Sequence, residues 1–152
     1  MTGWLLDTNI LFELVKPRPE PKVVRFIAAE PLGHLYVSVV TFAERRFGIE
    51  RAPVLSRREE LRDWLTRRLR PMFAGRTLPI SEDVMLKWRL LLADDRRAGH
   101  TFPQPDLIIA ATALQYGLTI VTRDSADFAR ARVTVFNPWV DRHPPQGEES
   151  GG

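Results

Sequence analysis

The fold of this chain is decided by residues 105–124, which read PDLIIAATALQYGLTIVTRD. Apart from Thr112, residues 107–114 are apolar, a pattern that predicts a helix buried on most of its sides. Gly117 closes that helix, and residues 118–122 predict a short apolar strand directly after it. A buried helix followed at once by an apolar strand indicates an α/β fold with a parallel sheet covered by helices.

The same alternation of strand and helix signals runs through the rest of the chain. Further strands are predicted at residues 4–6, 35–38, 77–80 and 133–136. Helices are predicted at residues 9–15, 21–29, 41–51, 56–69, 82–98 and 105–116, with Ser56 and Ser81 as N-caps. The 152 residues therefore predict one domain, covering residues 1–140, and the polar stretch 141–152 predicts a disordered tail.

Composition restricts the class of protein. A hydrophobic fraction of 44% is enough for a core, and no apolar run approaches the ~20 residues of a membrane span. The N-terminus has no basic segment before its apolar stretch, so we expect a cytoplasmic protein without membrane contact. The absence of cysteine excludes disulfides and thiolate metal sites.

The charge of the chain keeps nucleic acid open as a partner. The net charge is +3, and arginine accounts for 19 of the 22 basic residues. Arginine suits bidentate contact with phosphate, although the codon usage of a GC-rich genome explains the bias equally well.

Four acidic residues, far apart in the sequence, follow apolar strands or open apolar helices: Asp7, Glu44, Asp106 and Asp124. Open α/β folds build their sites at the carboxyl ends of parallel strands, so we expect these four side chains to meet there.

Each acid also has a purely structural interpretation. Asp7 would cap the helix that follows it, and Asp106 would interact favourably with the dipole of its own helix. Glu44 would be a solvated helix residue paired with a neighbouring arginine. Asp124 would cap the following turn, where Asp127 competes with it for any functional role. The occurrence of all four at equivalent places favours a shared site.

A cluster of carboxylates predicts metal-assisted hydrolysis. Converging negative charges repel one another unless a cation lies among them, and Mg²⁺ prefers oxygen ligands and water. Such a cation acidifies its bound water and neutralises charge that develops on a phosphodiester. Asn9 and Thr122 offer neutral oxygens that would orient a ligand. The three histidines, His34, His100 and His143, lack metal-ligand spacing, and the sequence has neither a nucleophile elbow nor a glycine-rich phosphate loop.

Four segments together resemble the motifs of PIN-domain ribonucleases, and most closely those of VapC-type toxins from bacterial toxin–antitoxin pairs. They are Leu5-Leu6-Asp7-Thr8-Asn9-Ile10, Thr41-Phe42-Ala43-Glu44, residues 105–113 and residues 122–128. The ending Val135-Phe136-Asn137-Pro138-Trp139 resembles the FitB-like branch. The likeness covers roughly residues 3–140.

The resemblance implies a fold, an activity and a site. The fold would be a PIN-like three-layer α/β/α sandwich with a central parallel sheet of four to five strands. The activity would be endoribonucleolytic cleavage dependent on Mg²⁺ or Mn²⁺. The family's catalytic positions fall on Asp7, Glu44, Asp106 and Asp124, its metal ligands on Asp7, Asp106 and Asp124, and its supporting positions on Asn9 and Thr122.

The resemblance also implies partners. Besides RNA, these are a second copy of the chain in a homodimer and a cognate antitoxin with a DNA-binding domain, which joins a higher assembly and silences the site. The alternative is a non-catalytic PIN-like module that binds RNA or forms complexes. The chain departs from the family pattern at Arg45, where an apolar residue is usual. A buried Arg45 would need a partner, whereas an Arg45 beside the cleft would contact RNA phosphate.

Overall fold

The computed structural model describes residues 3–99 and 104–142, with only the backbone of Gln104. Within these residues five strands form one parallel sheet in the order β3-β2-β1-β4-β5. The strands are β1 Trp4–Leu6, β2 Leu35–Ser38, β3 Thr77–Leu78, β4 Thr119–Val121 and β5 Val135–Phe136. In the register of the central strand, Trp4 lies opposite Leu35 on one side and Thr119 on the other. The predicted parallel sheet is confirmed.

Helices connect the strands. They are α1 Thr8–Leu14, α2 Pro21–Ala29, α3 Val39–Glu50, α4 Leu55–Trp64, α5 Arg70–Met72, α6 Glu82–Arg97, α7 Gln104–Tyr116 and α8 Ser125–Ala129. A 3₁₀ turn spans Leu32–His34, and a π-helical stretch spans Leu65–Leu69 between α4 and α5.

Most helix ends fall within one residue of their predicted positions, although α3 begins two residues early, at Val39. The hydroxyl of Ser81 accepts a hydrogen bond from the backbone N–H of Val84 at 3.2 Å and so caps α6. Gly117, at φ +64°, ends α7 in the left-handed conformation that glycine tolerates best. The predicted cap at Ser56 is wrong, because α4 already begins at Leu55 and Val54 supplies no side-chain cap.

The sheet divides the core into two apolar layers, because neighbouring strand residues point to opposite faces. Leu5 and Ile120 pack into the cluster that contains Leu92 of α6 and Leu107 and Ile109 of α7. Leu6 and Val121 pack into the cluster on the other face, with the buried residues of α1 and α2. Helices therefore cover both faces, which confirms the three-layer α/β/α sandwich.

The predicted burial of α7 is also observed. Leu107, Ile109 and residues 110–113 are all at most 1% exposed. Thr112, the polar member of this run, donates its hydroxyl proton to the carbonyl of Ile108 at 2.8 Å. Its burial therefore leaves no unpaired donor.

Among the described residues, no helix has the length and apolar character that a bilayer crossing requires. The predicted tail remains a prediction, since residues 143–152 lie outside the described part of the chain. Asp141 is described, and its carboxylate accepts a hydrogen bond from the backbone N–H of Asn137 at 2.8 Å.

Candidate active site

The strand order creates a crevice at the carboxyl ends of β1 and β4. The chain runs from β1 outward through β2 to β3 and then returns to place β4 on the other side of β1. The connections after these two neighbouring strands therefore leave in opposite directions, which opens a switch point of the kind where α/β folds bind ligands. Asp7 follows β1, and Thr122 and Asp124 follow β4, so these side chains line the crevice.

Asp7 is buried at the end of the central strand, with 5% of its surface exposed. Its Oδ1 accepts a hydrogen bond from the backbone N–H of Thr8 at 2.8 Å, which confirms that Asp7 caps α1. Its Oδ2 accepts one from the hydroxyl of Thr122, also at 2.8 Å. Burial raises the pKa of Asp7, the hydrogen bonds from Thr122 and Thr8 partly counteract this rise, and the nearby charge of Asp124 adds to it.

Asn9 and Thr122 bring Asp7 and Asp124 into one hydrogen-bonded network. The hydroxyl of Thr122 accepts from the backbone N–H of Asp124 at 3.0 Å while it donates to Asp7. The amide nitrogen of Asn9 lies 3.2 Å from the Thr122 hydroxyl and 3.3 Å from Oδ2 of Asp124. The amide oxygen of Asn9 accepts from the backbone N–H of Arg123 at 3.2 Å. The structure thus places the two predicted supporting residues between two of the predicted acids.

Asp106 opens α7 and shows that the acids converge. The pKa of Asp106 is raised from 3.8 to about 6, first by burial and then by four negative charges. In decreasing order of effect these come from Asp7, Asp124, Asp127 and Glu44. A helix N-terminus stabilises an ionised carboxylate and so lowers its pKa. The helix dipole therefore does not explain the raised pKa of Asp106.

The remaining acids lie at the open side of this cluster. Three of the acids are exposed: Glu44 in α3, Asp124 directly before α8, and Asp127 within α8. Asp106 is partly buried. The charge of Asp127 raises the pKa of Asp106 less than that of Asp124 and more than that of Glu44. The exposed acids leave the site accessible to a large substrate.

The residues of this site fit a divalent cation that keeps part of its water shell. Every candidate donor is a hard oxygen, and burial, together with the neighbouring acidic charges, raises the pKa values of Asp7 and Asp106. Within residues 3–99 and 104–142, no three His, Cys, Asp or Glu side chains form a group able to enclose a metal by themselves. The arrangement therefore fits one or two carboxylates with water, which is how Mg²⁺ usually binds, rather than a closed protein cage. His34 lies in the 3₁₀ turn before β2, and the other two histidines are outside the described residues.

A support for the β4 loop was not predicted. Asn137, buried after β5, donates its amide to the carbonyl of Arg123 at 3.2 Å and accepts from the backbone N–H of Trp139 at 2.9 Å. The guanidinium of Arg123 stacks 5.2 Å from the centre of a Trp139 ring. The segment after β5 thus holds the loop that carries Asp124, and its signal in the sequence was the Asn137-Pro138-Trp139 ending.

Arg45 does not belong to the acidic cluster. It is 4% exposed, and its guanidinium carbon lies 3.5 Å from the centre of the Phe12 ring and 5.5 Å from that of a Trp64 ring. Its partner inside the chain is therefore aromatic rather than acidic.

Comparison with known proteins identifies the family. Residues 4–133 match the model of the PIN domain. Plasmid stability protein StbB of Pseudomonas syringae pv. tomato is 42% identical over 135 residues, which cover 89% of this chain and 97% of that protein. Toxin FitB of Neisseria gonorrhoeae is 37% identical over 90% of this chain and 99% of its own length. VapC ribonuclease Y4jK of Sinorhizobium fredii is 36% identical over 89% of this chain and 96% of its own length.

Solved structures agree with these relatives. The crystal structure of FitAcB from Neisseria gonorrhoeae superposes with a TM-score of 0.85 and 36% identity, covering 91% of this chain and 99% of that one. FitAB bound to the IR36 DNA fragment also gives a TM-score of 0.85, with 35% identity over 92% and 98% of the two chains. The chain therefore belongs to the PIN domain family, within its VapC-type and FitB-like toxins, as its motifs predicted.

Proposed function

We propose that this protein is a metal-dependent endoribonuclease toxin that hydrolyses RNA and is silenced by a cognate antitoxin. The observation that carries this proposal is the hydrogen-bonded network that joins Asp7 and Asp124 through Thr122 and Asn9 at the crevice between β1 and β4. Asp106 lies near enough for the charges of both acids to raise its pKa. Similarity to toxin FitB and to VapC ribonuclease Y4jK supports the activity and the toxin role.

The catalytic residues are Asp7, Glu44, Asp106 and Asp124. Of these, Asp7 and Asp106 would hold Mg²⁺ or Mn²⁺ directly, and Asp124 would hold it through bound water. When bound, the cation supplies an acidified water and neutralises charge on the phosphodiester. Thr122 fixes the orientation of the Asp7 carboxylate through its 2.8 Å hydrogen bond, and Asn9 holds Asp124 beside it. The exposed Glu44 borders the open side, where it is placed to orient water or the substrate.

Cleavage of a labelled single-stranded RNA tests this function. We expect cleavage with Mg²⁺ or Mn²⁺, loss of cleavage with EDTA, and restoration when excess Mn²⁺ is returned. Undiminished cleavage in EDTA would contradict the metal requirement. A folded protein that binds the RNA but never cuts it would instead support the non-catalytic module.

The proposed antitoxin partner carries a DNA-binding domain. The similar FitAB assembly is bound to a DNA fragment in its solved structure, which supports this kind of partner. Expression of the chain without the neighbouring antitoxin gene should arrest growth, and co-expression should relieve the arrest. Normal growth with a soluble, cleavage-competent protein would argue against the toxin role.

We further propose that the chain forms a homodimer through α6. Leu86 and Leu90 lie one turn apart on this helix and are 58% and 59% exposed, and Met85 beside them is 38% exposed. An apolar stripe of this kind on a charged helix favours self-association. Light scattering should give the mass of two chains for the wild type and of one chain for the L86E/L90E double variant.

A further inference from the structure

A pocket of about 300 Å³ lies between α1, α3 and α4. Its lining is mainly apolar, with Phe12, Val15, Ile49 and Leu61 among its residues. Phe12 is 44% exposed, so one wall of the pocket is open to solvent. A pocket of this size holds one or two side chains of a bound polypeptide.

Three cations line this pocket, and only one of them lacks an acidic partner within the described residues. The ammonium of Lys16 lies 2.7 Å from a carboxylate oxygen of Glu13, and the guanidinium of Arg57 lies 3.2 Å from one of Glu60. Arg45 has neither a salt bridge nor a hydrogen bond to any described residue, and its Nε is a buried donor without an acceptor. The pocket therefore contains a buried positive charge that the chain itself does not neutralise.

The aromatic contact does not fully compensate for this burial. A desolvated cation–π contact is favourable, but it satisfies none of the N–H donors of the guanidinium. Burial, together with the charge of Arg57, also lowers the pKa of Arg45, although an arginine remains charged at neutral pH. An anion that enters the pocket would therefore pair with the positive charge of Arg45 and accept hydrogen bonds from its unpaired N–H groups.

We propose that this Arg45 pocket binds a carboxylate carried by an apolar segment of a partner protein. A carboxylate is compact and planar and pairs with a guanidinium fork through two hydrogen bonds. The apolar lining favours the neighbouring apolar side chains of a peptide over the hydrated ribose on either side of an RNA phosphate. Where the proposed function holds, the partner is the antitoxin.

The position of the pocket gives such binding a consequence for the site. Arg45 directly follows Glu44 in α3, and Phe12 lies one turn beyond Thr8, the first residue of α1. A segment seated on Arg45 therefore contacts α3, which carries Glu44, and α1, which Asp7 caps. It would anchor an inhibitor beside the cluster while leaving the acids free for a second contact.

Binding of three small probes to the isotopically labelled full chain tests the proposal. The probes are 4-phenylbutyrate, its neutral amide and the dinucleotide UpU, titrated by NMR in EDTA while the resonances of Phe12 and the Arg45 Nε–H are followed. We expect the carboxylate to bind at least about tenfold more tightly than the other two, since a charged bidentate pair exceeds 1.4 kcal/mol. R45L should remove this difference.

The control is R51L. The Arg51 guanidinium also stacks on an aromatic ring, that of Phe47 at 5.5 Å, but Arg51 is exposed and outside the pocket. R51L should therefore bind 4-phenylbutyrate like the wild type. Equal binding of acid and amide, preference for UpU, an equal loss in both variants, or no binding at millimolar concentrations would each overturn the proposal.

RNA cleavage separates this proposal from the ribonuclease assignment. If the wild-type protein cuts RNA but does not bind the carboxylate, only the proposal for the Arg45 pocket is refuted. Protein that binds the carboxylate but never cuts RNA overturns the ribonuclease assignment and leaves the pocket standing. R45L should remain folded, because it removes an uncompensated buried charge, and near-ultraviolet circular dichroism checks this.

Discussion

The hydroxyl of Thr122 donates to Oδ2 of Asp7 at 2.8 Å, across 115 residues of sequence. The Thr122 hydroxyl in turn accepts a hydrogen bond from the backbone N–H of Asp124 at 3.0 Å, so one buried side chain fixes two acids that follow neighbouring strands. The relative orientation of Asp7 and Asp124 thus depends on a residue that has no charge of its own.

Replacing Thr122 by valine should lower cleavage while leaving the fold intact. Valine keeps the shape but removes the 2.8 Å hydrogen bond to Oδ2 of Asp7 and the acceptor of the Asp124 N–H, so we expect a loss of about 10- to 100-fold in rate or metal affinity. T122S keeps the hydroxyl and should retain most of the activity. Equal activity in T122V and wild type would contradict the positioning role.

Asp7→Asn should abolish cleavage, with a loss of at least about a hundredfold. Asparagine is as good an N-cap as aspartate, so the bond to the Thr8 N–H survives and thermal stability should stay near that of the wild type. The matched control is D63N. It removes an exposed acid of α4 that pairs with Arg67, and it should cut RNA normally. Full activity in D7N would refute the site assignment.

Asp106 should make the metal-free protein less stable as pH rises. Its pKa is about 6 in the folded chain and near 3.8 when unfolded, so no penalty exists below pH 3.8. The penalty grows between these values, where the folded state still binds the proton that the unfolded state has released, and it is complete above about pH 6, where both states have lost it. It amounts to no more than about 3 kcal/mol, because Asp106 is partly solvated.

Asp106→Asn measures this penalty directly. In EDTA, urea unfolding should show D106N more stable than the wild type at pH 7 and no more stable at pH 4. The loss of the favourable dipole interaction at the start of α7 offsets part of the gain. A difference between the two proteins that does not change from pH 4 to 7 would contradict the raised pKa.

Thr41→Val should stabilise the protein by about 1 kcal/mol. Thr41 is fully buried in the first turn of α3, and its hydroxyl has no hydrogen-bond partner among the described residues. Thr112 is equally buried but donates to the carbonyl of Ile108, so T112V should be neutral or destabilising. Chemical unfolding measures the free energy of unfolding of both variants. A T41V protein less stable than T112V would show that the Thr41 hydroxyl makes a hydrogen bond.

Prediction from sequence succeeded best where the signal is local and repeated. Short apolar runs around Leu5, Val37 and Ile120 are typical of buried parallel strands, and the nearly unbroken apolar run of α7 is typical of a buried helix. Both patterns can be recognised without knowledge of the tertiary structure. The Ser56 cap failed because several nearby residues can start a helix and tertiary packing selects among them. The effect of Asp127 on the pKa of Asp106 was not predictable, because it depends on how α7 and α8 lie relative to each other.

By itself the sequence determined the α/β class, the family, and the four acids placed after strands or at helix starts. Periodicity and short motifs encode these features within a few residues of each acid. Only the tertiary structure decided that β1 and β4 are neighbours, that Thr122 bridges Asp7 and Asp124, and that Arg45 faces a pocket without an acid. These relationships depend on strand order and packing between segments up to 115 residues apart, where local propensity carries no information.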